Sequence, residues 1–171
     1  TVVPNGGTDV LPCGFANTNL ADGIVGGALG GVSNPTLATD NLGETASSLA
    51  ISLGILNSSV FQRVGFDSGL SNIGDTLIVK LSSPGKLLSL AVLQSLTLTT
   101  YQGANSNNDP LIVTNPLINL ELLSDNSAII LTYVPTSRFD GVEVRLSSGL
   151  IGALTSIDFN YALRKNLSPQ V

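Results

Sequence analysis

The sequence predicts an all-β fold, an antiparallel two-sheet sandwich wound as a jelly roll. Three observations carry this. Short apolar segments with period-two alternation recur along most of the chain, Gly, Pro, Asn, Asp and Ser clusters separate them, and no long stretch repeats its apolar residues at helical spacing. About nine strands spaced this way bury one face each, and two packed antiparallel sheets satisfy all of those faces together.

The chain has 171 residues, which suits one domain burying about 70 % of the surface its unfolded form exposes. The expected division is an arm or edge strand over 1–12, a single sandwich over 13–165 and a linker over 166–171. Thr1 to Pro12 holds Pro4, Gly6, Gly7 and Pro12 among short Val-containing pieces, so no element is assigned to it. With its start at Thr1, the chain reads as a processed product or an excised module of something larger. Ala21 to Gly31 carries Gly23, Gly26, Gly27, Gly30 and Gly31. Neither a Gly-Lys-Ser/Thr nor a strand–GxGxxG–helix context accompanies that run, so a phosphate loop is rejected for an apolar loop crossing the sandwich end.

Asn34-Pro35 opens a turn, because proline fixes its own φ and biases its predecessor toward extended geometry. Leu37-Ala38 can anchor it, and Asp40-Asn41 turns the chain again. Strands follow at Leu49, Ile51 and Leu53, at Phe61 to Phe66, and at Asp75 to Leu81 with Leu77, Val79 and Leu81 on one side. Leu87 to Leu93 fits a short buried helix or an apolar loop equally well. A strand resumes at Leu96, Leu98 and Tyr101, and a polar loop spans Gln102 to Asp109. Leu111 to Val113, Ile118 to Leu122, Ile129 to Val134, Val142 to Leu146 and Ile157 to Leu163 read as the remaining strands. The expected core joins Leu, Ile and Val to Phe61, Phe66, Phe139, Phe159 and Tyr161.

Composition narrows the function. Charged residues make up 11 %, against about a quarter in ordinary domains, so Ser, Thr and Asn must supply the polar surface, as they commonly do in extracellular β-proteins. A net charge of −5 with seven Lys and Arg provides no basic stripe for a phosphate backbone, and nucleic acid is excluded as a partner. The longest apolar-rich segment, Leu87 to Leu98, is polar-interrupted and too short for a bilayer, so no membrane insertion is expected. Cys13 is the single cysteine; a buried free thiol is the favoured reading over a bond to a cysteine outside the chain. Without histidine a serine nucleophile lacks its usual base. The few carboxylates sit mainly in turns, and the residue inventory points away from an enzyme.

Two constellations remain. Asp40, Asn41 and Glu44 place three oxygen side chains within five residues, a set that suits calcium, whereas the plainer alternative is an Asx-turn capping a strand entry. Glu143 and Arg145 share one strand face opposite Val142, Val144 and Leu146. They form either an ordinary cross-strand charge pattern or, with Tyr101 as ring, a sugar-binding platform.

Ser33-Asn34-Pro35, Ala38-Thr39-Asp40-Asn41 with Thr45, the strand Phe139-Asp140-Gly141-Val142-Glu143-Val144-Arg145-Leu146, Gly149 to Leu154, and Phe159-Asn160-Tyr161-Ala162 together resemble a module repeated in very large surface proteins of Bacteroidetes. Those proteins are gliding-adhesin-like substrates of type IX secretion. The Asp turn and the late Val-Glu-Val-Arg strand are also similar to discoidin-type, galactose-binding jelly rolls. The resemblance implies an extracellular, cell-surface module with an adhesive or filament role, no certain cofactor, calcium being the one candidate, and neighbouring modules, identical subunits or surface glycans as partners. It further implies that Thr76 in Asp75-Thr76-Leu77 matches a short O-glycosylation sequon, with a plain strand start as the alternative. A self-assembling subunit whose Thr1 to Pro12 arm adds a strand to a neighbour is a further expectation.

Overall fold

Neighbouring strands of this chain repeatedly belong to opposite layers, so the fold is best followed as a ribbon passing back and forth between two antiparallel sheets. The computed structural model describes residues 14–27, 29–53, 57–83, 88–123, 127–148 and 155–166. Among them run β1 (Thr18–Val25), β2 (Leu29–Ser33), β3 (Ser47–Leu53), β4 (Ser59–Gly65), β5 (Thr76–Ser82), a short helix α1 (Leu90–Gln94), β6 (Leu96–Gln102), β7 (Asn105–Ser106), β8 (Leu111–Ile112), β9 (Asn119–Leu122), β10 (Ala128–Tyr133), β11 (Gly141–Ser147) and β12 (Thr155–Lys165). The front sheet has the order β1-β4-β11-β6, with β7 and β8 both on the outer edge of β6; the back sheet is β2-β3-β12-β5-β10-β9. Every pairing is antiparallel. Among the long strands from β3 onward, each step from β3 to β4, β5, β6, β10, β11 and β12 changes sheet, which is jelly-roll winding.

The alternation read from the sequence sets the core. Leu77, Val79 and Leu81 of β5, Ile129 and Leu131 of β10, and Val142, Val144 and Leu146 of β11 are all buried between the sheets. Burying each such side chain contributes about 1.5–3 kcal/mol before the conformational entropy is subtracted. Phe66, Phe139 and Phe159 join them, with Phe66 and Phe139 edge to face at 6.0 Å.

Three expectations need correcting. The glycine-rich run is not a loop across the end: it forms much of β1 and β2, which pair with β4 and β3 as edge strands. Glycine is required there by close approach. At Gly30, with φ +144, a Cβ would stand 2.1 Å from the Ala50 carbonyl oxygen. Phe61 and Tyr161 are not core residues; both are half-buried. In β4 the inward set is Val60, Gln62 and Val64, so Phe61 falls on the outer face. In β12 a bulge between Phe159 and Tyr161 inverts the alternation, turning Phe159 inward and Tyr161 outward against Phe15 at 6.2 Å. The polar loop after β6 contains β7, which closes a tight hairpin with it. Leu87 itself lies outside the described residues; Leu90–Gln94 is helical, its N-cap Ser89 accepting from the Val92 amide at 3.2 Å, but it buries Leu93 and leaves Leu90 exposed instead of being a buried helix. Cys13, the arm 1–12 and residues 167–171 also lie outside them.

Two buried polar groups tie the layers together. Gln62 accepts from the Ser47 hydroxyl and donates to Asn19 Oδ1 at 3.0 Å and to the Pro35 carbonyl at 2.7 Å, linking β1, β3 and the 3₁₀ turn Pro35–Ala38. Arg164 donates to the carbonyls of Gly69 at 2.7 Å and Phe139 at 3.0 Å and to Ser68 Oγ at 2.6 Å, while lying over the Phe66 ring. Desolvation lowers its pKa, offset in part by Asp75 and Asp140.

Candidate functional site

The outer face of the front sheet gathers side chains from three adjacent strands. Register places Glu143 of β11 beside Arg63 of β4 and Thr99 of β6, and Arg145 beside Phe61 and Thr97. Strand alternation forces this: the inward sets Val60, Gln62, Val64 and Val142, Val144, Leu146 leave Phe61, Arg63, Glu143 and Arg145 facing out. Glu143 is only 4 % exposed despite its outward position, because the neighbouring long side chains lie over it.

Its carboxylate is the centre of the cluster. Arg145 Nε donates to Glu143 Oε1 at 2.8 Å, and the Tyr101 hydroxyl donates to Oε2 at 3.0 Å. Arg145 also donates through Nη1 to Ser59 Oγ at 2.6 Å and stacks 4.9 Å from the centroid of Phe61. Arg63 lies 4.5 Å from the centroid of Tyr101, and its buried Nε has no hydrogen-bond partner among the described residues. Burial, followed by the negative charge of Glu143, holds the Tyr101 phenol above its ordinary pKa, so it remains a donor. Two guanidinium groups, one carboxylate and two rings thus form an alternating stack, each cation against an aromatic face.

Tyr101, Glu143 and Arg145, the three residues of the expected platform, are therefore brought together. Sequence reasoning missed Phe61 and Arg63, which join them only through the β4–β11 register. The one signal for them was the period-two placement of Phe61 and Arg63 between Val60, Gln62 and Val64.

Asp40, Asn41 and Glu44 are arranged differently. Asp40 accepts from the Thr45 hydroxyl through both carboxylate oxygens, at 2.8 and 2.7 Å, and from the Leu42 amide at 3.1 Å. Asn41 takes a left-handed φ of 64 and Glu44 is exposed. This is the geometry of a side-chain-capped turn leading into β3. Among the described residues, no group of three or more His, Cys, Asp or Glu is placed to hold a metal ion. Thr76 is the first residue of β5 and half-buried, lining a cleft at that end of the sandwich. The preceding Asp75 is buried and accepts from the Asn72 amide at 2.9 Å.

No family model matches the chain, and no curated protein matches it. A solved structure titled "Crystal structure of Agl-KA catalytic domain" aligns with 99% of this chain and 30% of that one, at 14% identity and a TM-score of 0.36. The chain spans under a third of that protein's length.

Proposed function

We propose that the chain is a non-enzymatic adhesive module of a bacterial cell-surface protein, working at the extracellular side beside neighbouring modules, and that the outer face of the front sheet takes surface glycans. The observation that supports it is the convergence of Phe61, Arg63, Tyr101, Glu143 and Arg145 on one sheet face. Such a face offers what a saccharide needs: ring surfaces for apolar sugar faces, and fixed donors and acceptors for vicinal hydroxyls. Thr97 and Thr99 add hydroxyls on the adjoining strand. Glu143 is engaged as a hydrogen-bonded partner of Arg145 and Tyr101, an arrangement suited to orienting donors rather than to transferring protons.

The test is a glycan array, run with and without calcium, followed by titration of any hit against wild type and Arg145→Ala. Saccharide hits weakened at least tenfold by Arg145→Ala support the assignment. Hits that survive the substitution unchanged remove this face from the binding site, and an array without hits in either condition leaves a purely structural module.

A further inference from the structure

A cleft of about 620 Å³ opens between the start of β5, the end of β10 and the segment 108–111 that leads into β8. Its walls are mainly apolar: Pro110, Leu111, Leu117 and Val134 line it beside Asn108, Asp109 and three threonines, and Leu117 and Val134 are 73% and 52% exposed. Clefts of this size with mainly apolar walls and a few polar groups are the usual form of small-molecule sites.

Tyr133 also lines the cleft and is 6% exposed, and its hydroxyl is buried with no hydrogen-bond partner among the described residues. Buried polar atoms are nearly always paired, so an orphan on a side chain that lines a cleft is a donor that an occupant of the cleft can satisfy. Burial, reinforced by the charge of Asp109, raises the Tyr133 pKa, which keeps the phenol protonated and makes it a donor in need of an acceptor. Asp109 is itself held by the Thr100 amide at 2.8 Å and by the Thr100 hydroxyl. Among the described residues no lysine or arginine lines the cleft, so none of them balances a second negative charge.

We propose that this cleft binds an uncharged, largely apolar small molecule or end group carrying one hydrogen-bond acceptor, with Tyr133 as the donor that meets it. The site stands on the Tyr133 hydroxyl and the cleft alone, independent of the glycan-facing sheet. An anion is disfavoured by Asp109, and a cation would find both Asp109 oxygens already bonded to Thr100.

Acetanilide, a neutral ring with a carbonyl acceptor, is a direct probe; benzoate and benzylammonium are its charged counterparts. Titrated into the ¹⁵N-labelled protein, acetanilide should give saturable shifts at the amides of residues 108–111, 117 and 132–136, with both ions weaker. Tyr133→Phe should raise the acetanilide Kd about tenfold while leaving the melting temperature equal or higher, since the lost hydroxyl has no partner among the described residues. Leu117→Asp, at an exposed position, should abolish the shifts without unfolding the chain. Absence of saturable shifts in wild type, tighter binding of either ion, or an unchanged Kd in Tyr133→Phe would overturn the proposal.

Discussion

Removing the Arg145 side chain tests whether the stacked face is a fixed scaffold or a set of independent surface charges. Arg145→Ala deletes the 2.8 Å pair with Glu143, the 2.6 Å bond to Ser59 and the contact with Phe61 at 4.9 Å. Breaking a fully buried pair costs about 3–5 kcal/mol because a charge is left without its partner. Here the Arg145 side chain is 29% exposed and that of Glu143 5%, and Glu143 keeps its bond from Tyr101, so the expected loss is nearer 2 kcal/mol. For a domain of this size that lowers the melting temperature by about 4–8 °C. Glu143→Gln, which keeps an acceptor for Arg145, should cost about 1 kcal/mol, and the double substitution should show a coupling of about 1 kcal/mol. Urea unfolding of the four proteins at one salt concentration measures all three quantities. A loss under about 0.5 kcal/mol for Arg145→Ala with no coupling would show that solvent screens the pair as it does ordinary surface pairs, and would refute the fixed scaffold.

Three further outcomes follow from the same geometry. Arg164→Met should lose about 3 kcal/mol in chemical denaturation, since two carbonyls and one hydroxyl lose a charged donor; Arg164→Lys should recover little of it because one ammonium cannot reproduce the planar fork. Thr45→Val should lower stability by about 1 kcal/mol, and calcium should leave the wild-type melting temperature unchanged, because the Asp40 oxygens already serve Thr45 and Leu42; a calcium-dependent rise abolished by Asp40→Asn would reverse that view. Asp158 has its pKa raised by desolvation, against the lowering effect of its bond from Ser48. A raised folded value means the favourable contribution is present at low pH and lost as pH climbs through that value, so Asp158→Asn should be more stable than wild type at pH 7 and indistinguishable from it below the carboxylate range. Equal melting temperatures at both pH values would contradict this.

Strands with alternating branched residues were legible in the sequence because burial of one face writes itself directly into period two, as in Thr76–Ser82 and Gly141–Ser147. β1 and β2 were not, because their glycines answer to the backbone of a neighbouring strand, and that contact is invisible until the pairing is known. The facing of Phe61 was misread for a related cause. Gln62 occupies a core position by satisfying its amide with Ser47, Asn19 and Pro35, so polarity alone pointed the wrong way along β4. Glu143 and Arg145 could be assigned a common face from their spacing, whereas the missed partners Phe61 and Arg63 depend on cross-strand register.

The segment Gly14–Ala16 that precedes β1 meets the last described strand, β12, at one seam. Ala16 N donates to the Ala162 carbonyl and Arg164 N to the Gly14 carbonyl, both at 2.9 Å, with Phe15 opposite Leu163. A pull applied to the backbone at Gly14 and Asn166 therefore loads the Gly14–Arg164 bond before the Ala16–Ala162 bond. The seam peels open one bond at a time instead of shearing as a block, and the Arg164 guanidinium, anchored to Gly69 and Phe139, is the first strong resistance met. In a tethered array such a unit would yield early and lengthen under tension, acting as a compliant link ahead of the sandwich itself.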